Sequence, residues 1–469
     1  MESYPPGAGG GRWALAVLFS VVLPGAGGSL AQDSPAAPLT PAGAVSLALR
    51  DQPMIAAAEQ EVLAARADRD LAGSGWLPRL DLTEDWARST NPVFVFASKL
   101  GQQVFGPPDF APDSLNHPDP YTNAATRLVL RQNVWDAGVT SLAKEAAASG
   151  EQAALASRER ARDAVAFGAL VGFWDAVLAE RMVEVTRRAE KAAAANADLA
   201  RALVETGIAV PSDRMAADVR LAEVRAMRIR ADYGHAVADA ALRRALGASD
   251  DARFVLDPPP DPAPAEADTA DARVAEALAS RADLRVLDRR LEQAGAGERM
   301  ARHARLPSIG LGAQYEWNDD TPFGTAGGNW TVGMSVRVPV FDGTETGARI
   351  ARARAGRDRL AAMRRAMEDG IRLEVRAAWA DRAAADERLT VAHAAVGQAR
   401  ESLRIVRERY SEGMAVMVEL LAAEAALTQA EASEVEARRA AFLARAALDL
   451  ATGRSLAGDA ADSPEGVAR

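Results

Sequence analysis

Trp330-Thr331-Val332-Gly333-Met334-Ser335-Val336-Arg337-Val338-Pro339-Val340-Phe341-Asp342-Gly343 is the stretch that decides the fold. Apolar Trp330, Val332, Met334, Val336, Val338 and Val340 alternate with Thr331, Gly333, Ser335, Arg337 and Pro339, the period of two of a strand with one apolar and one polar face. Beyond it, no proline occurs from Gly343 to Gly413. There Leu389, Ala392, Val396, Ala399, Leu403, Val406 and Tyr410 recur alternately three and four apart, which is a coiled-coil seam. At 1.5 Å per residue, roughly 65 residues of helix reach about 100 Å. No single soluble domain buries a rod of that length, so the helix belongs in a multi-chain bundle.

The same arrangement occurs twice in the chain. Val134-Trp135-Asp136-Ala137-Gly138 precedes Val340-Phe341-Asp342-Gly343 by 206 positions; Thr206-Gly207-Ile208-Ala209 precedes Glu412-Gly413-Met414-Ala415, and Leu246-Gly247 precedes Thr452-Gly453, by the same offset. One spacing held over more than a hundred residues marks a duplication. Upstream, Leu77-Pro78 matches Leu306-Pro307 at an offset of 229, so the first copy carries 23 extra residues. They fall in Asn91 to Tyr121, a Pro-, Asp- and Asn-rich stretch that reads as a long loop, against only Asn318 to Gly328 in the second copy. Each copy reads as helix, strand, loop, strand, very long helix, turn, helix.

The other three strands share the alternation. Ile309, Leu311, Ala313, Tyr315 and Trp317 alternate with small or polar neighbours; Leu80, Leu82 and Trp86 alternate with Asp81, Thr83 and Asp85; Leu128, Leu130 and Val134 face away from Arg127, Arg131 and Asn133. Aromatics at the loop ends suit a lipid-facing sheet with an interfacial girdle, although a soluble half-buried sheet alternates identically. The smallest spanning barrels use about eight strands, so four per chain require several chains, and a trimer supplies twelve.

Composition narrows the function. Apolar residues make up 49% but aromatics only 5%, as in long, closely packed helices. None of Lys99, Lys144 and Lys191 stands in a phosphate-loop setting, which argues against an ATP-driven engine. A net charge of −10 argues against nucleic acid as a partner, and the absence of cysteine excludes disulfides and thiolate metal sites. His117, His235, His303 and His393 have no ligand spacing, and no nucleophile–base set can be assembled, so no catalytic residue, cofactor or metal is expected. Met414 and Met417 read as flexible packing. Arg12, an apolar run from Trp13 to Leu23 and the small residues ending Ser29-Leu30-Ala31 read as a signal peptide, residues 1–31.

In order, Leu306-Pro307 entering a strand, Val340-Phe341-Asp342-Gly343, the long helix, Tyr410-Ser411-Glu412-Gly413 and the closing Leu448 to Gly453 resemble the TolC-type outer-membrane efflux protein family. The resemblance implies a mainly α fold with a membrane β-barrel portion: a duplicated strand–strand–long-helix–helix unit that forms, as a homotrimer, a 12-stranded outer-membrane barrel continued by a periplasmic α-helical coiled-coil tunnel. On this reading, repeat 1 (32–247) holds barrel strands at about 80–90 and 125–135 and tunnel helices at about 139–246. A Pro/Asp-rich linker (248–271) leads to repeat 2 (272–457), with strands at about 308–317 and 330–340 and helices at about 344–452, then a disordered tail, 458–469.

The implied partners are outer-membrane lipid, a periplasmic adaptor (membrane fusion) protein and, through it, an inner-membrane transporter. Adaptor contact falls on the tips Thr206, Gly207, Ile208 and Ala209, and Glu412, Gly413, Met414 and Ala415. A glycine at a sharp helix reversal also has its own conformational reason to be there. The family's periplasmic gate maps onto Tyr410 and Glu419, with Asp213 the repeat-one counterpart of Glu419; Ala415 and Ala422 stand where the family has an arginine and a second acid. A soluble periplasmic coiled-coil adaptor or scaffold is the competing reading, and it leaves the strand pairs unexplained.

Overall fold

Two strand hairpins and two pairs of very long helices follow one another along the chain. The computed structural model describes residues 38–260, 262 and 268–456. These belong to one compact unit that begins at Pro38. The expected signal peptide lies outside the described residues, as do part of the linker and the expected tail from 458.

Repeat one opens with α1 (Pro41–Asp51) and α2 (Pro53–Gly73) and continues into β1 (Arg79–Ser89). The insertion holds α3 (Pro92–Gly101) and α4 (Pro112–Asn116), and β2 (Tyr121–Trp135) then leads to α5 (Val139–Glu205) and α6 (Pro211–Leu246). Repeat two comprises α7 (Ala270–Ser280), α8 (Ala282–His303), β3 (Ser308–Asp319), β4 (Gly328–Arg337), α9 (Glu345–Ser411) and α10 (Met417–Thr452). Helices α5 and α9 are each 67 residues long and α6 and α10 each 36, with every boundary displaced by 206. Among the described residues no helix is long and apolar enough to cross a membrane.

Three readings need correction. The stretch from Asn91 to Tyr121 is not a plain loop: Pro92 and Pro112 each sit at a helix start, where the missing N–H costs nothing, and Asn91 caps α3 by accepting from Val93 N at 3.0 Å. The helix ahead of each first strand is broken in two, by Gln52-Pro53 in repeat one and at extended Arg281 in repeat two. Strand β4 stops at Arg337 rather than near 340, because Pro339 has no N–H to donate to a ladder.

The four strands form an antiparallel sheet in the order β1-β2-β3-β4. Its register aligns Leu80, Leu130, Ala313 and Val332 in one row and Leu82, Leu128, Tyr315 and Trp330 in the next. The alternate rows place Thr83, Arg127, Glu316 and Asn329 together, and Asp81, Val129, Gln314 and Thr331, on the other face. Arg127 pairs there with both Asp85 and Glu316. Thus one face is a continuous apolar belt, exposed in the protomer at Leu80, Leu82, Trp330 and Val332, and the other is polar. Both outer strands, β1 and β4, are edges, which a membrane tolerates only when another chain's strands pair with them.

At the strand-to-helix joints, Asp136 accepts from Thr140 N at 2.8 Å and Gly138 N at 3.0 Å, and Asp342 accepts from Thr346 N at 2.9 Å. The Thr346 bonds hold the Asp342 carboxyl below its ordinary range. The C-terminal parts of α6 and α10 pack against the middle of α5 in a core around Phe173, Trp174, Leu242 and Leu246, where Trp174 stacks on Phe442 at 3.9 Å. Toward the turns, Ala197, Ala200, Ala217, Leu403, Met417 and Leu420 make a second cluster that joins the two repeats.

Candidate functional site

Each long helix reverses through the same turn. In repeat one, Ile208 N donates to Leu203 O at 2.9 Å and Gly207 N to Val204 O at 3.0 Å; in repeat two, Met414 N donates to Arg409 O at 2.8 Å and Gly413 N to Tyr410 O at 3.0 Å. This double-bonded stop requires a left-handed residue just past the helix, and Gly207 (φ +77°) and Gly413 (φ +72°) supply it. Thr206 and Glu412 are the exposed helix caps, and the Thr206 hydroxyl donates back to Ala202 O at 3.1 Å. The turns present apolar side chains to solvent: Ile208 is 75% exposed and Met414 59%, flanked by Val210, Val416 and Val418. Ala209 and Ala415 are half-buried.

The expected gate residues divide into two sets. Tyr410 is half-buried against the second cluster; burial, then the negative charge of Asp213, pushes its phenol up. Asp213 is in the first turn of α6, so the last turn of α9 meets the other repeat. Glu419, in the first turn of α10, lies 4.0 Å from Arg409 and is half-exposed. Arg409 also donates to Met414 O at 3.1 Å, spanning the reversal.

One to two turns farther from the tip, Glu424 is buried between three helices, accepting from Asn196 at 2.6 Å and Arg407 at 3.2 Å. Sequence reasoning missed Arg409, Arg407, Asn196 and Glu424. The available signal was Glu424 itself, a carboxylate interrupting the apolar seam Met417, Leu420, Leu427. Among the described residues no group of three or more His, Cys, Asp or Glu side chains is arranged to hold a metal ion.

An apolar-belted sheet with open edges, set on paired helices too long for one domain, defines a channel protomer. The outer membrane efflux protein family model matches residues 44–248 and 274–454, one segment in each repeat, and the chain belongs to that family. Its fold is similar to that of CusC, with a TM-score of 0.75 and 17% identity over 91% of this chain and 95% of that one. It is similar also to VceC from Vibrio cholerae (TM-score 0.73, 18% identity, 88% and 96% of the two chains). The same holds for CmeC from Campylobacter jejuni (0.72, 18%, 88% and 85%). No curated protein matches the sequence.

The chain is therefore an outer-membrane efflux channel that reaches into the periplasm, built on the trimeric barrel and helical tunnel of the TolC type. The soluble adaptor reading is not favoured. Family membership implies in general a trimer working within a tripartite pump, and the family's members are channels rather than enzymes.

Proposed function

We propose that the chain is the passive exit duct of a tripartite efflux or type I secretion assembly, joined to its periplasmic adaptor at the two helix reversals and gated there by Glu419, Asp213 and Tyr410. The inner-membrane transporter is reached only through the adaptor, and lipid is met by the apolar belt of the sheet. The observation that carries the reading is the pair of matching tips: two turns 206 residues apart with the same hydrogen bonds and the same left-handed glycine, each presenting exposed apolar side chains beside a first-turn acid. Thr206 to Ala209 and Glu412 to Ala415 form the adaptor contact.

Three copies of Glu419, with Asp213, make a constriction that favours cations, and Arg409 tempers it by its 4.0 Å approach. A first-turn carboxylate also complements its own helix dipole by about 0.3–1 kcal/mol, so the acids have a local role as well. Planar-bilayer recordings separate the two. Glu419→Ala should weaken cation preference and block by multivalent cations, and Arg409→Ala should strengthen both. Unchanged selectivity in both variants would leave the acids with the dipole role alone.

A further inference from the structure

The insertion peculiar to repeat one lies on the polar face of the sheet. Helix α3 buries Val95 and Ser98, together with its cap residue Gln102, against that face. Gln102 donates to Asn123 Oδ1 at 2.9 Å and Asp319 O at 3.0 Å and accepts from the Tyr121 hydroxyl at 2.6 Å. Asn329 donates to Gly101 O at 3.3 Å. The cleft beneath the helix is lined by Phe94, Ser98, Asn123, Arg127, Gln314 and Glu316, so α3 covers the outer half of the polar face, at the end of the strands remote from the tunnel helices. Val93 lies on its opposite side, Leu100 at the flank where it also borders the cleft, and Phe96 beside them packs edge-on against Phe105 at 4.8 Å; all three, at i, i+3 and i+7, remain partly exposed in the protomer.

Closing the sheet into a barrel turns the polar face inward, and α3 with it. Twelve strands about 4.8 Å apart and tilted about 40° close on a radius of about 12 Å. A helix with its side chains is about 10–12 Å across, so one seated on the inner wall reaches about to the axis. Repeat two has only residues 320–327 between β3 and β4, so a trimer holds three such helices, one per protomer. Phe105 covers one edge of Phe96 within the chain, but the apolar surface left at Val93 and Leu100 is costly in a water-filled lumen unless covered, and at a threefold axis the nearest further cover is its own copies. We propose that the α3 helices of three protomers meet through Val93, Phe96 and Leu100 and form an apolar constriction at the outer mouth of the barrel, separate from the periplasmic gate.

The chain has no cysteine, so introduced thiols report without background. Leu100→Cys in the full-length channel, oxidised in outer membranes, should give disulfide-linked pairs of protomers; monomers alone would overturn the proposal. Ser335 lies on the polar face, deeper than α3 along the strands. In intact cells a bulky impermeant maleimide should label Ser335→Cys about tenfold faster when Val93, Phe96 and Leu100 are serine, since an apolar constriction excludes water and polar solutes. Equal rates in assembled trimers would also overturn it and would leave the stripe to cargo or lipid. Should the triple variant fail to assemble, the Leu100→Cys cross-link decides. Neither readout passes through the periplasmic tips, so failure of the gate at Glu419 leaves this result unaffected.

Discussion

Asn196 donates a 2.6 Å hydrogen bond to Glu424, pinning the descending helix of repeat one to the returning helix of repeat two just above the tips. The surrounding cluster is mostly alanine and leucine, which fix distance well but register poorly. A buried carboxylate held by a named donor fixes register, since sliding the helices strands the charge. Asn196→Ala should lower trimer stability by about 1–3 kcal/mol, the cost of a buried acceptor losing its partner. Arg407→Ala should cost less, about 0–1 kcal/mol, because that guanidinium is largely solvated. Thermal melting of the detergent-solubilised trimer reads both, and equal melting of Asn196→Ala and the parent would refute the tie.

Asp163, on α5, gives a pH dependence of known sign. Burial, then the charge of Glu159, raises its carboxyl to about 6, against the pull of Arg162 and Arg285. In the unfolded chain an aspartate titrates near about 3.9, so between the two values the folded state holds the extra proton. The resulting stability is present below the unfolded value, declines as pH rises through about 6 and is absent above it. Asp163→Asn, neutral throughout, should raise the melting temperature at neutral pH, and the gain should vanish in acid. A gain that persists in acid would mean that packing, not charge, is responsible.

The long helices were legible because their signal is redundant. The seam from Leu389 to Tyr410 marks the rod, the landmarks at 136, 207 and 247 fix the repeat, and helix boundaries at 139, 205, 211 and 246 recur 206 later. The strands were legible from alternation, but their ends were not, because Val338 and Val340 continue the apolar pattern after Pro339 has already stopped the ladder. Helix α3 was hidden by its setting: ten residues among prolines give too little periodicity to outweigh turn composition. At the proposed gate, Tyr410 and Glu419 follow from the family resemblance and Asp213 from the repeat offset. Arg409 does not, because a side chain reaching across a reversal leaves no mark in linear spacing.

The two joints between sheet and tunnel solve one backbone problem with different residues. Ala137 and Gly138 have φ of +56° and +85°, and their repeat-two counterparts Gly343 and Thr344 have +62° and +75°. Each joint therefore holds one non-glycine residue in the left-handed region, at a cost of about 1–2 kcal/mol. Ala137→Gly and Thr344→Gly should each stabilise the trimer by up to about 1 kcal/mol once the added freedom of the unfolded chain is subtracted. Both together should give about the sum of the two, each relieving its own backbone angle. Chemical denaturation or melting checks this, and a destabilised Thr344→Gly would show that the threonine side chain contributes more than its backbone strain removes.

Gly413 allows its conformational role to be separated from a contact role. A Cβ built there meets nothing within 4 Å, so only the backbone angle opposes substitution. Gly413→Ala should therefore cost about 1–2 kcal/mol, and Gly413→Asn less, because asparagine tolerates the left-handed region. Both place new atoms on the exposed tip. If the tip binds an adaptor closely, Gly413→Asn should keep near-parental trimer melting and lose pump-dependent drug resistance or adaptor cross-linking. Retained coupling with parental melting would assign Gly413 to the turn alone and move the adaptor contact to the apolar flanks Ile208, Met414 and Val416, where charge substitutions then become the deciding test.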